Sequence, residues 1–385
     1  MSIHIERCQS CKEVLAFIPK KSLSINLSIG GTKIAVAIVN SSGEVCWESD
    51  RYQWRSDSED CSHRDSAAKR EWFISLILTE IMKAEDYSQR YLKGSLIEQV
   101  GISWAGPVSR DGKVMGPNID GFRFQELSLE ERLNEGVDLA HILREKLMGF
   151  GRKWEVSILN DADAAAIVAF RQDGNRPNGM LVIIGTGIGL GIIMNEKSYF
   201  GPEDFICRMG EIGHHLLYNP SENRYFYYGC ETKGVILEEN APLSLTRRLS
   251  GPGVARMFVD RLYVKFHQNL QAIIDYFHHQ VQGLDTRILT KYFQERVLPL
   301  NIEEQFLKCI TENARSGDQF CIDLIKDVGD ELGRALGVFI AHFKQEPYVN
   351  HIKLAGSMGE LFALGVHDKN GRDLFLERIK PRNGS

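Results

Sequence analysis

The sequence predicts an α/β protein with two lobes around a cleft, and three observations lead to this prediction. Segments rich in β-branched residues alternate with segments whose apolar residues recur at helical spacing. Two glycine-rich turns, near residues 30 and 185, each follow a predicted strand and lie far apart in the chain. The chain has 385 residues, enough for two or three domains of ~150 residues each.

The predicted elements begin with strands. Residues 24–40 read as a strand, a Gly-Gly turn and a second strand, and a third strand begins at 45–47, which is typical of an antiparallel meander. Apolar residues at helical spacing predict helices near 72–81, 128–149, 254–281 and 332–343. Further strands are predicted at 99–104, 156–159, 179–184 and 352–354.

Composition excludes several classes of protein. Lys and Arg total 46 against 51 Asp and Glu, so the chain is not built around a basic nucleic-acid surface. No stretch reaches the ~18 apolar residues of a membrane span, and residues 1–17 lack a signal-peptide core. We therefore expect a cytoplasmic protein without nucleic-acid or membrane partners. Eight cysteines are too few for a disulfide scaffold, and the pair Cys8 and Cys11 is at most half a zinc site.

The two glycine turns are candidate anion sites. Glycine lets the backbone approach a phosphate, which neighbouring N–H, hydroxyl and ammonium groups can then contact. Neither turn is a P-loop or a dinucleotide-binding G-x-G-x-x-G motif, and a glycine turn taken alone is more often structural. The turns consist of Gly30, Gly31, Thr32 and Lys33, and of Gly185, Thr186 and Gly187.

Asp161 is the strongest candidate for a catalytic residue. It follows a predicted buried strand and precedes small residues typical of a helix start. Such a residue is either a helix N-cap or a general base that accepts a hydroxyl proton during phosphoryl transfer. The polar stretch 210–215 and Asn118 can hydrogen-bond the hydroxyls of a polyol, although the same residues also suit an ordinary polar turn.

Five short motifs follow one another along the chain, and their order is informative. They are Gly-Gly-Thr-Lys at 30–33, Gly-Pro-Val at 106–108 with Pro-Asn at 117–118, Asn-Asp-Ala-Asp-Ala-Ala at 160–165, Gly-Thr-Gly-Ile-Gly-Leu-Gly at 185–191, and Gly-Glu-Ile-Gly-His at 210–214. In this order they resemble the ROK family, which comprises sugar kinases and related repressors of the actin/hexokinase superfamily. The resemblance extends over roughly residues 22–360.

The resemblance implies a two-lobed actin/hexokinase-like α/β fold with a cleft between the lobes. The small α/β lobe would span residues 22–122. The large α/β lobe would span 123–364 and carry a helical insertion at about 250–305. Residues 1–21 would form an N-terminal extension, and 365–385 a short C-terminal segment that is either cut off or naturally shortened.

The resemblance also implies roles for individual residues. Asp161 would deprotonate the sugar hydroxyl, ATP and Mg²⁺ would be the cofactors, and a homodimer is the family expectation. The residues that would hold the sugar are Asn118, Asn160, Glu211, His214 and, with weaker support, Glu231. The residues that would bind ATP are Gly30, Gly31, Thr32, Lys33, Gly185, Thr186, Gly187, Gly356 and Gly359.

Two departures from the family pattern bear on function. The family has Asp two residues before the glycine pair, where this chain has Ser28. That carboxylate helps to organise Mg²⁺, and Asn26, on the same strand face, either compensates for its loss or does not. The family's structural zinc motif has several cysteines, whereas residues 225–232 keep only Cys230, so we expect no structural zinc.

The leading hypothesis is therefore an ATP-dependent kinase that phosphorylates a hexose, an amino sugar or a related polyol. The alternative is a catalytically weakened, sugar-binding regulator, which Ser28 favours and the retained Asp161 disfavours. A DNA-binding repressor is a third hypothesis, and it requires a winged helix before the first glycine turn.

Overall fold

A computed structural model gives the fold of the chain. It describes residues 4–7, 22–31, 33–50, 52–54, 65–92, 95–109, 111–116, 119, 121–171, 178–185, 187–195, 197–198, 217–219, 224–226, 245–280, 287, 290, 300–341, 351–356, 367 and 373–379. The chain divides into two units. The first contains residues 10–175 and 191–210, and the second contains 1–9, 176–190 and 211–385.

Strands and helices alternate along both units. In chain order the strands are β1 (His4–Arg7), β2 (Leu23–Ile29), β3 (Lys33–Val39), β4 (Val45–Glu48), β5 (Tyr52–Gln53), β6 (Ile97–Trp104), β7 (Glu155–Asn160), β8 (Asn178–Ile184), β9 (Ile188–Met194), β10 (Lys197–Ser198), β11 (Leu217–Asn219), β12 (Arg224–Phe226) and β13 (His351–Ala355). The α-helices are α1 (Ser66–Tyr91), α2 (Leu129–Leu133), α3 (Leu139–Gly149), α4 (Asp161–Arg171), α5 (Leu245–Leu249), α6 (Gly251–Lys265), α7 (Leu270–Gln280), α8 (Leu300–Arg315), α9 (Gln319–Ala341) and α10 (Leu374–Ile379). The predicted α/β class is confirmed.

The first unit is built on a mixed sheet with the order β4-β3-β2-β6-β7, and β5 pairs with β3. β2, β3 and β4 form the antiparallel meander that the sequence predicts, whereas β2, β6 and β7 run parallel. Because β7 pairs with β6, residues 123–175 group with this sheet. The lobe boundary between residues 122 and 123 that the resemblance implies stays a prediction.

Alternation along β2 decides which face of this sheet is buried. Ile25, Leu27 and Ile29 belong to the hydrophobic core, and the residues between them occupy the opposite face. α1 contacts β2 and β3, and α3 contacts β7. These helices supply Phe73 and Leu143 to the same core. Full burial of a side chain of this kind contributes about 1.5–3 kcal/mol, so this layer of helices holds the sheet in place.

Two segments predicted as single helices are each broken in the structure. Within 128–149, α2 and α3 are separated at Glu135 and Gly136, whose φ angles are 58° and 125°. Within 254–281, α6 and α7 are separated at His267 and Gln268, with φ of 51° and 65°. A right-handed helix cannot include such residues. Helical periodicity continues across each break, which is why the sequence pattern did not show it.

The second unit has a parallel core of strands in the order β1-β13-β8, and β11 pairs antiparallel with β12. Its helices pack in sequence, with α6 against α5, α7 and α8, and α9 against α8 and α10. Phe258 on α6 and Phe306 on α8 are fully buried, with ring centroids 6.4 Å apart. In the described part of the chain, no helix has the length and apolar character needed to cross a bilayer.

Candidate active site

Three parallel strands of the first unit end at one edge of its sheet. Ile29, Trp104 and Asn160, the last residues of β2, β6 and β7, are neighbours in register. The segments beyond them are joined as well. The Ala105 N–H donates to the Ile29 carbonyl at 2.9 Å, and Asn160 Nδ2 donates to the Gly106 carbonyl at 2.9 Å. The carboxyl ends of parallel strands are where α/β sheets bind ligands, so this edge is the candidate active site.

Asn160 is the N-cap of α4. Its Oδ1 accepts hydrogen bonds from the backbone N–H groups of Ala162, at 2.9 Å, and Asp163, at 3.4 Å. Its Nδ2 is directed to Gly106. The side chain predicted to hold a sugar is thus engaged on both ends within the protein, and it fixes the start of α4 relative to the end of β6. The N-cap role that the sequence left open for Asp161 falls to Asn160.

Asp161 is the first residue of α4 and keeps an exposed surface. Protein atoms nevertheless surround its carboxylate. The resulting desolvation raises the pKa of Asp161 above its usual value, and the hydrogen bond from the Ala162 N–H, at 2.8 Å, only partly opposes it. A carboxylate that solvent can reach, but whose ionised form is disfavoured, has the properties of a proton acceptor.

The first glycine turn lies at the same edge. The Gly30 N–H donates to the Lys33 carbonyl at 2.9 Å and closes the turn between β2 and β3. This N–H is therefore committed to the turn, contrary to the simplest expectation for a phosphate cradle. Lys33 is exposed and opens β3, so its ammonium group is available to an anion. Thr32 lies outside the described residues.

Ser28 and Asn26 differ in what surrounds them. Ser28 is exposed near the end of β2, between Ala35 on β3 and Ser103 on β6. Asn26 Nδ2 donates to Ser24 Oγ at 2.6 Å, which directs the amide away from the candidate site. Asn26 does not take the place of a carboxylate at position 28.

The residues at this edge fit a nucleotide that carries Mg²⁺. Mg²⁺ bound with a nucleotide is usually held by one or two carboxylates together with phosphates and water. Asp161 offers one carboxylate and Ser28 one hydroxyl, which fits an ion that arrives with the nucleotide. Across the described ranges, no three His, Cys, Asp or Glu side chains gather into a metal site.

The loop that contains Asn118 is anchored beside Trp104. The Gly116 N–H donates to the Phe122 carbonyl at 2.8 Å, and Trp104 Nε1 donates to the Met115 carbonyl at 2.9 Å. Ile119 is fully buried. Asn118 itself lies outside the described residues, but Gly116 lies next to Trp104 at the end of β6.

The second unit contains the other predicted nucleotide turns. Gly185 follows β8, and its N–H donates to the Gly187 carbonyl at 2.9 Å. Gly356 follows β13, which is parallel to β8. At Gly356, φ is +89° and an added Cβ would lie 2.4 Å from the Ile184 carbonyl oxygen. The structure brings these turns together at the carboxyl ends of two neighbouring strands.

Three residues near the second turn were missed by the sequence analysis. The Gly251 N–H donates to the Gly185 carbonyl at 2.8 Å, and Thr246 Oγ1 accepts from the Ile188 N–H at 3.4 Å. Ser250 caps α6 by accepting from the Gly253 N–H at 3.4 Å. The sequence Ser-Gly-Pro at 250–252 carries a detectable signal, a capping residue followed by Pro in the first helical turn.

Several predicted site residues cannot be placed. Besides Thr32 and Asn118, they are Thr186, Glu211, His214, Glu231 and Gly359, which lie outside the described residues. Cys230 lies there too, so the expectation of no structural zinc stays a prediction.

Comparison with known proteins adds the following findings. A family model described as "ROK family" matches residues 24–364. A curated relative named "Putative xylose repressor", from Caldicellulosiruptor sp. (strain Rt8B.4), is 26% identical over 244 residues, covering 62% of this chain and 52% of the relative. A glucokinase of Streptomyces coelicolor is 26% identical over 210 residues, covering 50% of this chain and 54% of the relative. The chain thus spans about half the length of each of these relatives.

A solved structure shares the fold. It is a glucokinase of the same family from Streptomyces griseus, in complex with glucose and AMPPNP, with a TM-score of 0.53 and 20% identity. The match covers 93% of this chain and 87% of that one. At this identity the likeness extends to the fold alone.

Proposed function

The chain belongs to the ROK family, and on this premise we propose that it is an ATP-dependent kinase of a hexose, an amino sugar or a related polyol. The observation that carries the proposal is that two neighbouring residues at the start of α4 have different roles. Asn160 caps the helix, so Asp161 is released from that role. Its accessible carboxylate, with a raised pKa, suits a general base better than a structural cap.

In the proposed reaction, the sugar hydroxyl oxygen attacks the γ-phosphorus of ATP while Asp161 accepts the hydroxyl proton. The bond from that phosphorus to the bridging oxygen breaks, and ADP leaves with the bridging oxygen. A raised pKa brings the base closer to the working pH, where proton transfer is most efficient. Mg·ATP, when bound, supplies the phosphoryl group and the metal charge that offsets its oxygens. Asn160, bonded to Gly106, keeps the base at a fixed position on the sheet edge, because phosphoryl transfer depends mainly on positioning and electrostatics.

The remaining proposed contacts fall into two groups. Lys33 supports the nucleotide phosphates through its exposed ammonium group. The other nucleotide-binding residues proposed are Gly30, Gly31, Thr32, Gly185, Thr186, Gly187, Gly356 and Gly359. For the sugar we propose Asn118, Glu211, His214 and Glu231, while Asn160 acts by positioning. A cytoplasmic location and a homodimer stay predictions.

An assay of ADP release tests the proposal. Mg·ATP is offered with a panel of hexoses, amino sugars and cyclitols to the wild type, to Asp161→Asn and to Asp138→Asn. Asp138 is the matched control, because it caps the 11-residue helix α3 by accepting from the His141 N–H at 2.9 Å, and Asn caps equally well. We expect turnover of one compound, a kcat lower by roughly 10²–10⁴ in Asp161→Asn, and an unchanged kcat in Asp138→Asn. A decrease of only a few-fold in Asp161→Asn contradicts the general-base role.

A second candidate function is a sugar-binding regulator with weakened catalysis. It is favoured by the exposed Ser28 in the place of a family carboxylate, and by Asn26, which bonds Ser24 instead of compensating. In the same panel, a regulator releases no ADP, yet one of the sugars raises its melting temperature. These two results together would contradict the kinase proposal and support the regulator.

A further inference from the structure

Arg70, on α1, contacts the loop at residues 116–122. Its Nε donates to the Gly121 carbonyl at 2.8 Å. Its guanidinium carbon lies 5.9 Å from the centroid of the Phe122 ring. The guanidinium also forms an ion pair with Glu131, at the start of α2. One side chain therefore ties the loop to two helices.

Both backbone polar groups of Gly121 are hydrogen-bonded to side chains. While its carbonyl accepts from Arg70, its N–H donates to the Glu126 carboxylate. Gly121 has φ of +85°, and an added Cβ would lie 2.8 Å from the Arg70 backbone nitrogen and 2.9 Å from the Ser66 carbonyl oxygen. The absence of a side chain lets the loop lie directly against the first turn of α1.

The counter-charge of Arg70 is itself fixed in place. Glu131 and Ser128 form a capping box at the start of α2. Partial burial raises the pKa of Glu131, but the hydrogen bonds from Ser128 and Arg70 outweigh it and hold the pKa below its usual value. Glu131 is therefore ionised at neutral pH and keeps the guanidinium oriented.

The loop held by Arg70 is the one packed on the candidate active site. Phe122 makes an edge-to-face contact with Trp104, with centroids 5.1 Å apart. Trp104 is the register neighbour of Asn160, which precedes Asp161. A displacement of Phe122 would therefore disturb the packing of Trp104 beside Asn160 and the proposed base.

Arg70 also borders an open depression on the protein surface. The depression is lined by Asp65, Ser66, Ala67, Arg70, Glu126, Leu127, Ser128, Glu130 and Glu131.

From these contacts we propose that Arg70 is a positioning residue for sugar binding, which holds Gly121 and Phe122 against the sheet edge where Asp161 lies. This inference rests on the proposed sugar site and adds a residue remote from the glycine motifs. Arg70 acts through the loop and not by touching the sugar.

Isothermal titration calorimetry tests the inference, with D-glucose, D-mannose, N-acetylmannosamine and myo-inositol as probes, and AMPPNP titrated separately. The variants are Arg70→Lys and Arg70→Ala. Lysine keeps the charge opposite Glu131 but cannot also reproduce the fork that reaches Gly121. We expect both variants to bind the sugar roughly tenfold more weakly than the wild type, with unchanged affinity for AMPPNP.

Arg132→Ala is the matched control. Like Arg70, Arg132 donates to a backbone carbonyl, that of Leu127 at 3.0 Å, and lies over an aromatic ring, that of Phe124 at 5.5 Å. None of these contacts involves residues 116–122. Its sugar affinity should equal that of the wild type, which separates the loss of an arginine from the loss of the loop anchor.

The outcomes distinguish the inference from the proposed function. Wild-type sugar affinity in a folded Arg70→Lys variant overturns the positioning role, and so does an equal loss of AMPPNP affinity, which indicates general damage. If Arg70→Ala does not fold, the sugar affinity of Arg70→Lys alone tests the positioning role.

If the wild type binds a sugar but releases no ADP, the kinase proposal fails, while the sugar affinities of the variants still test the role of Arg70. If the wild type binds none of the probes, the sugar site and the role of Arg70 both fail.

Discussion

Glycines of the two units look alike in sequence, but Gly30 in the first turn and Gly356 beside the second turn are constrained differently. Gly30 and Gly185 each follow a strand, and each closes its turn with an N–H to carbonyl bond of 2.9 Å. An added Cβ at Gly30 would only come within 3.6 Å of the Lys33 carbonyl oxygen, an ordinary contact. At Gly356, beside the second turn, it would meet the Ile184 carbonyl oxygen at 2.4 Å.

This difference distinguishes two reasons why a position in the chain is occupied by glycine. Gly356 is required by the backbone itself, because its φ is +89° and its neighbour is main chain that cannot move aside. Gly30 is not required by its own surroundings, and the space over it is compatible with the proposed nucleotide. On this view Gly30 leaves room for a ligand, whereas Gly356 is required by packing beside the second turn.

The largest effect that tests the comparison is expected for Gly356→Ala. The left-handed φ and the overlap with main chain together should destabilise the fold by roughly 2–5 kcal/mol. Chemical denaturation of the free protein measures this. Gly187→Ala is the control, since its Cβ would lie 3.8 Å from Thr246 Cγ2 with room to spare. Equal stability of the two variants would contradict a packing role for Gly356.

An intermediate effect is expected for Gly30→Ala. The fold has space for the methyl group, so the melting temperature should stay close to that of the wild type. The methyl group would instead obstruct the phosphates, and the KM for ATP should rise roughly tenfold, as for the loss of one hydrogen bond to a charged group. Steady-state kinetics with varied ATP measures this, at a saturating concentration of the sugar.

Gly149→Ala serves as the control for Gly30→Ala, because its Cβ would meet no atom within 4 Å. It should leave both the KM and the melting temperature unchanged. If Gly30→Ala lowers the stability while the KM for ATP stays constant, Gly30 has a structural role like that of Gly356, and the contrast between them disappears.

The smallest effect concerns the stability contribution of Asp161. Its pKa is higher in the folded protein than the unfolded value of about 3.9, so its ionisation weakens the fold. The weakening begins as the pH rises past about 4, grows until the folded pKa is passed, and is constant above it. Asp161→Asn should therefore melt at a higher temperature than the wild type near neutral pH, and at the same temperature near about pH 3.

Thermal denaturation between these two pH values checks the expectation for Asp161. Asp138→Asn is again the control. A melting temperature for Asp161→Asn that never exceeds the wild type at any pH would mean that the α4 N-terminus fully stabilises the charge. The raised pKa would then have no consequence for stability.

Local patterns predicted much of the first unit. The β-branched runs at 24–40 gave the two antiparallel strands, because alternation and a Gly-Gly turn are encoded within a few residues. The end of β7 at Asn160 was predicted within a residue. The break at 267–268 was not predicted, since a left-handed φ at a non-glycine residue has no reliable signature in sequence. The break at 135–136 was not predicted either, although Gly136 is a typical signal for the end of a helix.

The candidate site was predictable only in part. The motifs identified Asp161 as a base or a cap, but they could not choose between these roles, since the choice depends on where Asn160 directs its amide. Arg70 escaped notice because it is 51 residues from Gly121 in sequence. An isolated arginine on an amphipathic helix gives no sign of a distant partner.

The sequence by itself determined the α/β class, the succession of strands and helices, and the family to which this chain belongs, because these depend on periodicity and short motifs. The tertiary structure decided that β7 joins the first sheet, that Asn160 caps α4, and that Arg70 reaches loop 116–122. These facts concern residues brought together by folding, and their energies depend on distance and burial that no local pattern records.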